Sequence, residues 1–338
     1  MSLVLSGFLI AQENDKDSSS LGNVLQTLFS KDGPNLGLLG QFDAEVRDNG
    51  NVTNSSFNVH LLRLYVYGAF GEKFSYVFQG DINGGYRLLD VKFSYKFNDD
   101  WRLDAGQFKA PFGKEFLRND AKLLFVNRAT VEQVLILDRQ RGVQLSALCF
   151  DDRLSLTAGV FNGSRVMFTD SKISLFAANV SFKPIKSNDL FDLEVGGSSA
   201  YSKEEDDLNW LPYSSEQKAL DAVNVRIRYD EYILESEYIV MEFRDVKNAK
   251  GFYADVVRKF GTDWDVALRY DWINFDRNNY AISSFGHSPV FNIQQKYVAG
   301  INWYPLKPIK LQLNYERDQT NKINAGYLNF QYAVNYEH

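Results

Sequence analysis

Between Trp101 and Leu145 the chain carries eight basic side chains: Arg102, Lys109, Lys114, Arg118, Lys122, Arg128, Arg139 and Arg141. Five acidic ones oppose them: Asp104, Glu115, Asp120, Glu132 and Asp138. The segment has an excess of positive charge inside a chain whose formal charge is −6. Clustered cations beside a low-dielectric wall focus a field that draws anions. Arg adds a planar fork that matches the oxygens of phosphate or carboxylate. The chemistry expected here is therefore guidance of small anions past Lys109, Lys114, Arg118, Lys122, Arg128, Arg139 and Arg141. Arg63, Arg226 and Arg228 join that set from the polar phase of their own segments, as do His60, Lys92, Arg269 and Lys310. The competing expectation is that such cations pair with nearby carboxylates, for instance Arg269 with Asp271.

Bond-breaking chemistry has little to work with. The chain has three histidines and no Gly-x-Ser-x-Gly elbow, HExxH or glycine-rich phosphate loop. His60 with a serine would be the one route to a barrel lipase. Cys149 is the only cysteine, so neither an intrachain disulfide nor a paired-cysteine metal site can form. No cofactor is expected. The acidic balance argues against a nucleic-acid partner.

The elements that must position these charges beat with a period of two. In IKLQLNYER, Ile309, Leu311, Leu313 and Tyr315 oppose Lys310, Gln312, Asn314 and Glu316. In WDVALRYDW, Trp264, Val266, Leu268, Tyr270 and Trp272 oppose Asp265, Ala267, Arg269 and Asp271. Such segments run to about 9–11 residues, the length a tilted strand needs to cross a bilayer. Sixteen are expected, near 36–47, 58–70, 74–83, 86–97, 101–108, 141–150, 154–161, 174–182, 191–201, 220–229, 232–243, 251–260, 264–275, 295–304, 309–317 and 325–336.

The connections keep a parity. Those after even-numbered strands are short, as at 71–73, 98–100, 151–153, 230–231 and 261–263. Those after odd-numbered strands run long, as at 109–140, 162–173, 202–219 and 276–294, with Gly84-Gly85 the exception. Short periplasmic turns and long extracellular loops are the layout of an all-β, transmembrane antiparallel barrel. Aromatics at strand ends (Phe74, Phe97, Trp101, Phe150, Phe161, Tyr229, Phe243, Phe260, Trp264, Phe275, Tyr304, Tyr336) suit two interfacial girdles. A soluble β-rich sugar-binding protein is the other class this composition admits.

Residues 1–11, MSLVLSGFLIA, read as the remnant of a secretory signal, with 12–35 an N-terminal periplasmic segment and 36–338 the barrel. LGNVLQTLF, within 12–35, has the pattern of a short amphipathic helix. The acidic run Glu204–Asp207 falls on a long external loop.

DAGQFKAPFGKE at 104–115 ends one strand and opens the longest loop. With RLYVYGAFGEKFSYVFQGDI at 63–82 and RGVQLSALCFDDRLSLTAGVFNGSR at 141–165, it resembles the phosphate-selective porin O/P family of bacterial outer membranes. The resemblance implies a sixteen-stranded, trimeric, water-filled channel for small hydrophilic solutes. It further implies a third loop folded into the pore and basic side chains there favouring anions such as phosphate. Its partners would be outer-membrane lipid and lipopolysaccharide, two further copies of itself, and small anionic or polar solutes. Acidic residues on inward positions (Glu235, Glu237, Asp255, Asp265, Asp271, Glu316) leave a non-selective, mixed-charge lumen as the alternative.

Overall fold

The computed structural model describes residues 34–162, 173, 175–185, 190–202, 218–243, 246–275 and 293–335. The expectations for 1–33, including the signal remnant and the short helix, lie outside the described residues, as does the acidic run at 204–207.

Sixteen strands form one closed antiparallel barrel in which each pairs with its sequence neighbours and the last closes on the first. The first eight are β1 (Asn35–Asp48), β2 (Thr53–Phe70), β3 (Phe74–Asp81), β4 (Arg87–Lys96), β5 (Trp101–Lys109), β6 (Arg139–Cys149), β7 (Leu154–Phe161) and β8 (Leu175–Phe182). The second eight are β9 (Phe191–Ser202), β10 (Lys218–Tyr229), β11 (Tyr232–Phe243), β12 (Val246–Phe260), β13 (Trp264–Phe275), β14 (Ile293–Leu306), β15 (Ile309–Asp318) and β16 (Ile323–Val334). The closing seam runs in register from Leu38 opposite Val334 to Asp48 opposite Asn324. Closure leaves no unpaired edge, which a sheet in hydrocarbon requires because nothing there can bond a free N–H or C=O.

Alternation of side chains produces the two faces. On β13, Asp265, Ala267, Arg269, Asp271 and Ile273 are buried inside, while Trp264, Val266 and Leu268 are exposed outside. On β15, Lys310, Gln312 and Asn314 turn in, and Leu313 and Tyr315 turn out. A girdle marks the short-turn end: Phe70, Phe97, Trp101, Phe150, Tyr229, Tyr232, Phe260 and Trp264 are exposed there, and Trp264 stacks on Trp303 with centroids 5.3 Å apart.

Several details differ from the sequence-based expectation, the start of β12 at Val246 instead of 251 among them. The first connection is 49–52 instead of 48–57, because Asn49 Oδ1 accepts the N–H groups of Asn51 and Val52 and Gly50 takes a φ of +83°. Residues 53–58 then pair with β1 although they are exposed throughout, so they carry no alternation to read. The third connection widens to 82–86 for a similar reason, an Asp81 carboxylate accepting the Asn83 N–H at 3.0 Å. Phe161 and Tyr304 do not belong to a girdle: Phe161 is fully buried inside the barrel, and the Tyr304 hydroxyl donates to Asp265 at 2.8 Å.

The outer wall is lipid-facing by its chemistry, and this is testable at Leu268. Leu268→Arg should lower folding stability into vesicles by about 2–4 kcal/mol, the cost of a cation near the bilayer midplane, measured by denaturant titration. An unchanged stability would mean that this face does not meet hydrocarbon.

Candidate functional site

The connection between β5 and β6, residues 110–138, is the largest described departure from the barrel wall. It leaves the long-loop end at Lys109, enters the bore, and carries three short pieces of helix: α1 (Lys114–Leu117), a 3-10 turn at Asp120–Lys122, and α2 (Thr130–Val134). Its tip reaches the opposite end. The ammonium of Lys310, the second residue of β15, donates to the carbonyls of Ala121 and Leu123 at 3.0 and 2.9 Å. Gln331 donates to Ala121 O and Asn302 to Leu124 O, while the Val126 N–H donates to Asn314 Oδ1.

The Pro-Phe-Gly punctuation at 111–113 makes this entry possible. Gly113 sits at φ +80°, and a Cβ there would lie 2.7 Å from Glu132 Oε2. The chain then starts α1 with its N–H groups aimed at carboxylates. Lys114 N–H donates to both oxygens of Glu237, and those of Glu115 and Phe116 donate to the two oxygens of Glu132. Acidic side chains thus take the place of solvent at a helix start, where free N–H groups and the helix dipole favour them.

The returning limb is apolar. Ala110, Phe112, Ala129, Val131, Val134, Leu135 and Leu137 pack with Phe108, Phe161, Leu175, Ala200, Leu220, Ile239, Met241 and Ile273 in one buried cluster. The inward face of the wall is therefore apolar toward the long-loop end from β7 to β13. The residues that break the polar-in, apolar-out alternation of a water-filled barrel are those the loop covers.

The loop is fixed to the wall by ion pairs. Arg269 is fully buried, donates to Asp255 through Nε and Nη2 at 2.7 Å each, and donates to Glu115 Oε1 at 2.5 Å. Its guanidinium lies between the rings of Phe125 and Tyr253, 4.7 and 4.9 Å from their centroids. The expected partner Asp271 is occupied otherwise, accepting the Thr130 N–H.

Each basic residue singled out from the sequence can now be placed. Lys109 donates to the carbonyls of Phe116 and Arg118 at 2.6 and 3.1 Å and lies over the Phe116 ring. Lys114 pairs with Glu194 on β9. Arg118 pairs with Glu235 on β11. Arg128 bonds Asp120, the Glu115 carbonyl and the Arg118 carbonyl. Arg63 on β2 meets Asp120 from the other side and also Asp81. Arg139 pairs with Asp90 at 2.8 Å. Arg226 bonds Asp192 at 3.1 Å, and Arg228 shares its strand face. Arg141 shares the strand parity of Val143 and Leu145, which are exposed outside the barrel. Lys122 is exposed within the bore, and among the described residues it has no ion-pair partner. His60 Nδ1 lies 2.9 Å from the Asp43 carboxylate.

Two cavities flank the loop. One, of about 310 Å³, lies between Leu117, Asn119 and Asp120 and the wall of β2–β6, and is lined by Lys92, Arg102, Lys109 and Arg139 with Asp90. Lys92 has no hydrogen-bond or ion-pair partner among the described residues, and Arg102 is half exposed with Asp104 at 3.1 Å. The other, of about 630 Å³, opens at the short-turn end beside Arg118, Lys122, Arg226 and Lys259, with Glu235 and Asp265. Lys259 was not among the residues singled out above. It shares the inward parity of Asp255 and Val257 on β12, so alternation could have found it.

Burial and charge act together on the loop's own acids. Burial works to raise the Glu115 carboxyl, but the Arg269, Arg128 and Arg118 guanidiniums outweigh it and hold that group below its ordinary range. Asp120 is likewise held far down, burial being overcome by Arg63, Lys109 and Arg128. Glu132 goes the other way: burial, the neighbouring Glu237 and then Glu115 push it well above the usual carboxylate range.

Comparison with known proteins agrees with this architecture. The family model for phosphate-selective porin O and P matches residues 37–230. No curated protein sequence matches the chain. Among solved structures, the in-vitro folded outer-membrane protein OmpT of Vibrio cholerae is similar with a TM-score of 0.62 at 9% identity, covering 90% of this chain and 99% of that one. The anion-selective porin from Comamonas acidovorans gives 0.59 at 11% identity, covering 89% and 99%. The outer-membrane channel DcaP of Acinetobacter baumannii gives 0.60 at 14% identity, covering 89% and 97%.

Two outcomes test the loop's attachment. Arg269→Met strands Glu115 and Asp255 as buried charges and should cost about 3–5 kcal/mol of local stability. It would be read as accelerated trypsin cleavage at Lys114 and Arg118 in the folded barrel. Glu132, raised in the folded loop, favours attachment most at and below the ordinary carboxylate range, whereas Glu115 and Asp120, held low, lose their contribution as pH falls below that range. Attachment should weaken as pH rises from the ordinary carboxylate range through the raised value of Glu132. Hydrogen exchange at the Glu115 and Phe116 amides should speed up over that interval, and Glu132→Gln should flatten the dependence.

Proposed function

Because the chain belongs to the phosphate-selective porin O and P family and is an outer-membrane diffusion channel for small hydrophilic solutes, we propose that it favours small anions, which pass between the inserted loop and the wall of β2–β6. The observation that carries this reading is the imbalance of unspent charge in the smaller cavity. Lys92 has no partner among the described residues and Arg102 is half exposed, whereas Asp120 is shared by Arg63 and Arg128 and Asp90 is taken by Arg139.

An entering anion therefore meets cations that still have donors to offer and carboxylates that are already satisfied. Arg139 and Arg63 support the field from behind these pairs. Arg118, Lys122 and Arg226 extend it to the short-turn end, with Arg228 on the same face. Lys109, Lys114 and Arg128 act chiefly by holding the loop. Low-dielectric walls concentrate such a field, so a few net charges suffice.

The same reading covers assembly and surroundings. A homotrimer fits the family, and the trimer form described for the Vibrio cholerae protein has the same fold. Lipopolysaccharide and lipid would surround the remaining outer wall. The proposed activity is passage, which requires no chemical step.

Reversal potentials across a planar bilayer in a KCl gradient test the preference. The protein should pass chloride over potassium, and Lys92→Glu should lower that ratio roughly fivefold, on the order of 1 kcal/mol for one charge reversed in a wet bore. Cation preference in the unmodified channel would refute the proposal.

A further inference from the structure

The cavity at the short-turn end has a character that passage of inorganic anions does not require. We propose that it is a binding site for organic carboxylates bearing an apolar body, occupied on the way through the channel. The inference rests on the anion-channel reading and specifies a substrate class for it.

Its floor is hydrocarbon. Leu124 from the loop is partly buried there and packs on Ile233, which is 8% exposed, and on Val257, which is fully buried. All three line a cavity of about 630 Å³, within the range of small-molecule sites. Above that floor stand two lysines, Lys122 from the loop and Lys259 from β12, neither with a hydrogen-bond or ion-pair partner for its side chain among the described residues. The acids beside them are satisfied. Glu235 accepts from Arg118, and Asp265 accepts from Asn302 at 2.5 Å and Tyr304 at 2.8 Å.

The cavity thus offers ammonium donors, four cations against two carboxylates, and an apolar surface, all in one place. Phosphate is small and strongly hydrated, and it gains nothing from the floor. A ring or short chain carrying carboxylates uses both parts, its anionic groups on Lys122 and Lys259 and its body on Leu124 and the exposed edge of Ile233. Burying about 60 Å² of that body favours it over phosphate by roughly tenfold.

The test is single-channel recording in KCl with benzene-1,3-dicarboxylate or inorganic phosphate added to each side in turn at equal concentration. The dicarboxylate should interrupt the current at concentrations roughly tenfold below phosphate, and Lys122→Glu with Lys259→Glu should remove that block. Ile233→Asn should raise the blocking concentration of the dicarboxylate and leave that of phosphate where it was. Equal block by the two anions in the unmodified channel overturns the site without any variant. Absence of block in a channel that still prefers chloride overturns the site alone, whereas cation preference overturns the anion-channel reading beneath it.

Discussion

A guanidinium with no water around it is the constraint from which the interior follows. Arg269 sits inside a pore, yet it is sealed between Phe125 and Tyr253 and bonded to carboxylates on both the wall and the loop. An isolated charge so placed would cost many kilocalories, so the Glu115 and Asp255 carboxylates must stand beside it. Glu115 in turn accepts the Ala129 N–H at 2.8 Å, so the same carboxylate ties together the two limbs of the loop. Losing either partner would leave the other charged and dry. The loop is therefore held in one arrangement by mutual necessity, which a set of exposed surface ion pairs would not achieve.

Packing supplies the adhesion that ion pairs alone do not. Leu220, Ile239, Met241 and Ile273 stand on the inward phase of their strands toward the long-loop end, where a water-filled bore would call for polar groups. They are buried because Phe112, Val131, Leu135 and Leu137 cover them. The barrel consequently contains a small apolar core within its lumen, and the apolar and ionic regions lie along the same loop. Further down, where the wall turns polar at Asn302, Lys310, Gln312 and Gln331, the loop offers its backbone carbonyls instead. Each stretch of loop meets the kind of wall that its own exposed groups require.

The barrel was legible in the sequence because a two-residue period is a local property. Asp265 through Ile273 declare their faces without reference to any other strand, and the connection parity needs only counting. The inserted loop was legible as an event, through its length, Pro111, Gly113 and its charges. Its attachments were not. Lys114 finds Glu194 and Glu115 finds Arg269 across 80 and 154 residues, and nothing in the spacing of either sequence points to the other. Alternation likewise places Arg269 and Lys92 on the same kind of face, though one is locked away and the other is free. Phe161 reads as a girdle residue for the same reason: strand-end position is local, whereas being covered by a loop is not.

This separation changes how the positive excess between Trp101 and Leu145 bears on selectivity. Counting charges by segment credits Lys109, Arg118 and Arg128 with drawing anions, but these spend their donors on Glu235, Asp120 and loop carbonyls. What a permeating ion senses is the remainder after the loop has been secured. That remainder is carried by wall residues such as Lys92 and Lys259 as much as by the loop, and it is small. On the proposed reading a small remainder is what lets a chain with acidic residues in its bore favour anions: Lys92, Lys122 and Lys259 have no ion-pair partner among the described residues, whereas Asp90, Asp120 and Glu235 beside them are paired with guanidiniums. Selectivity in such a channel is a property of which pairs form, so a substitution that only re-partners existing charges can alter it without changing the net charge of the protein.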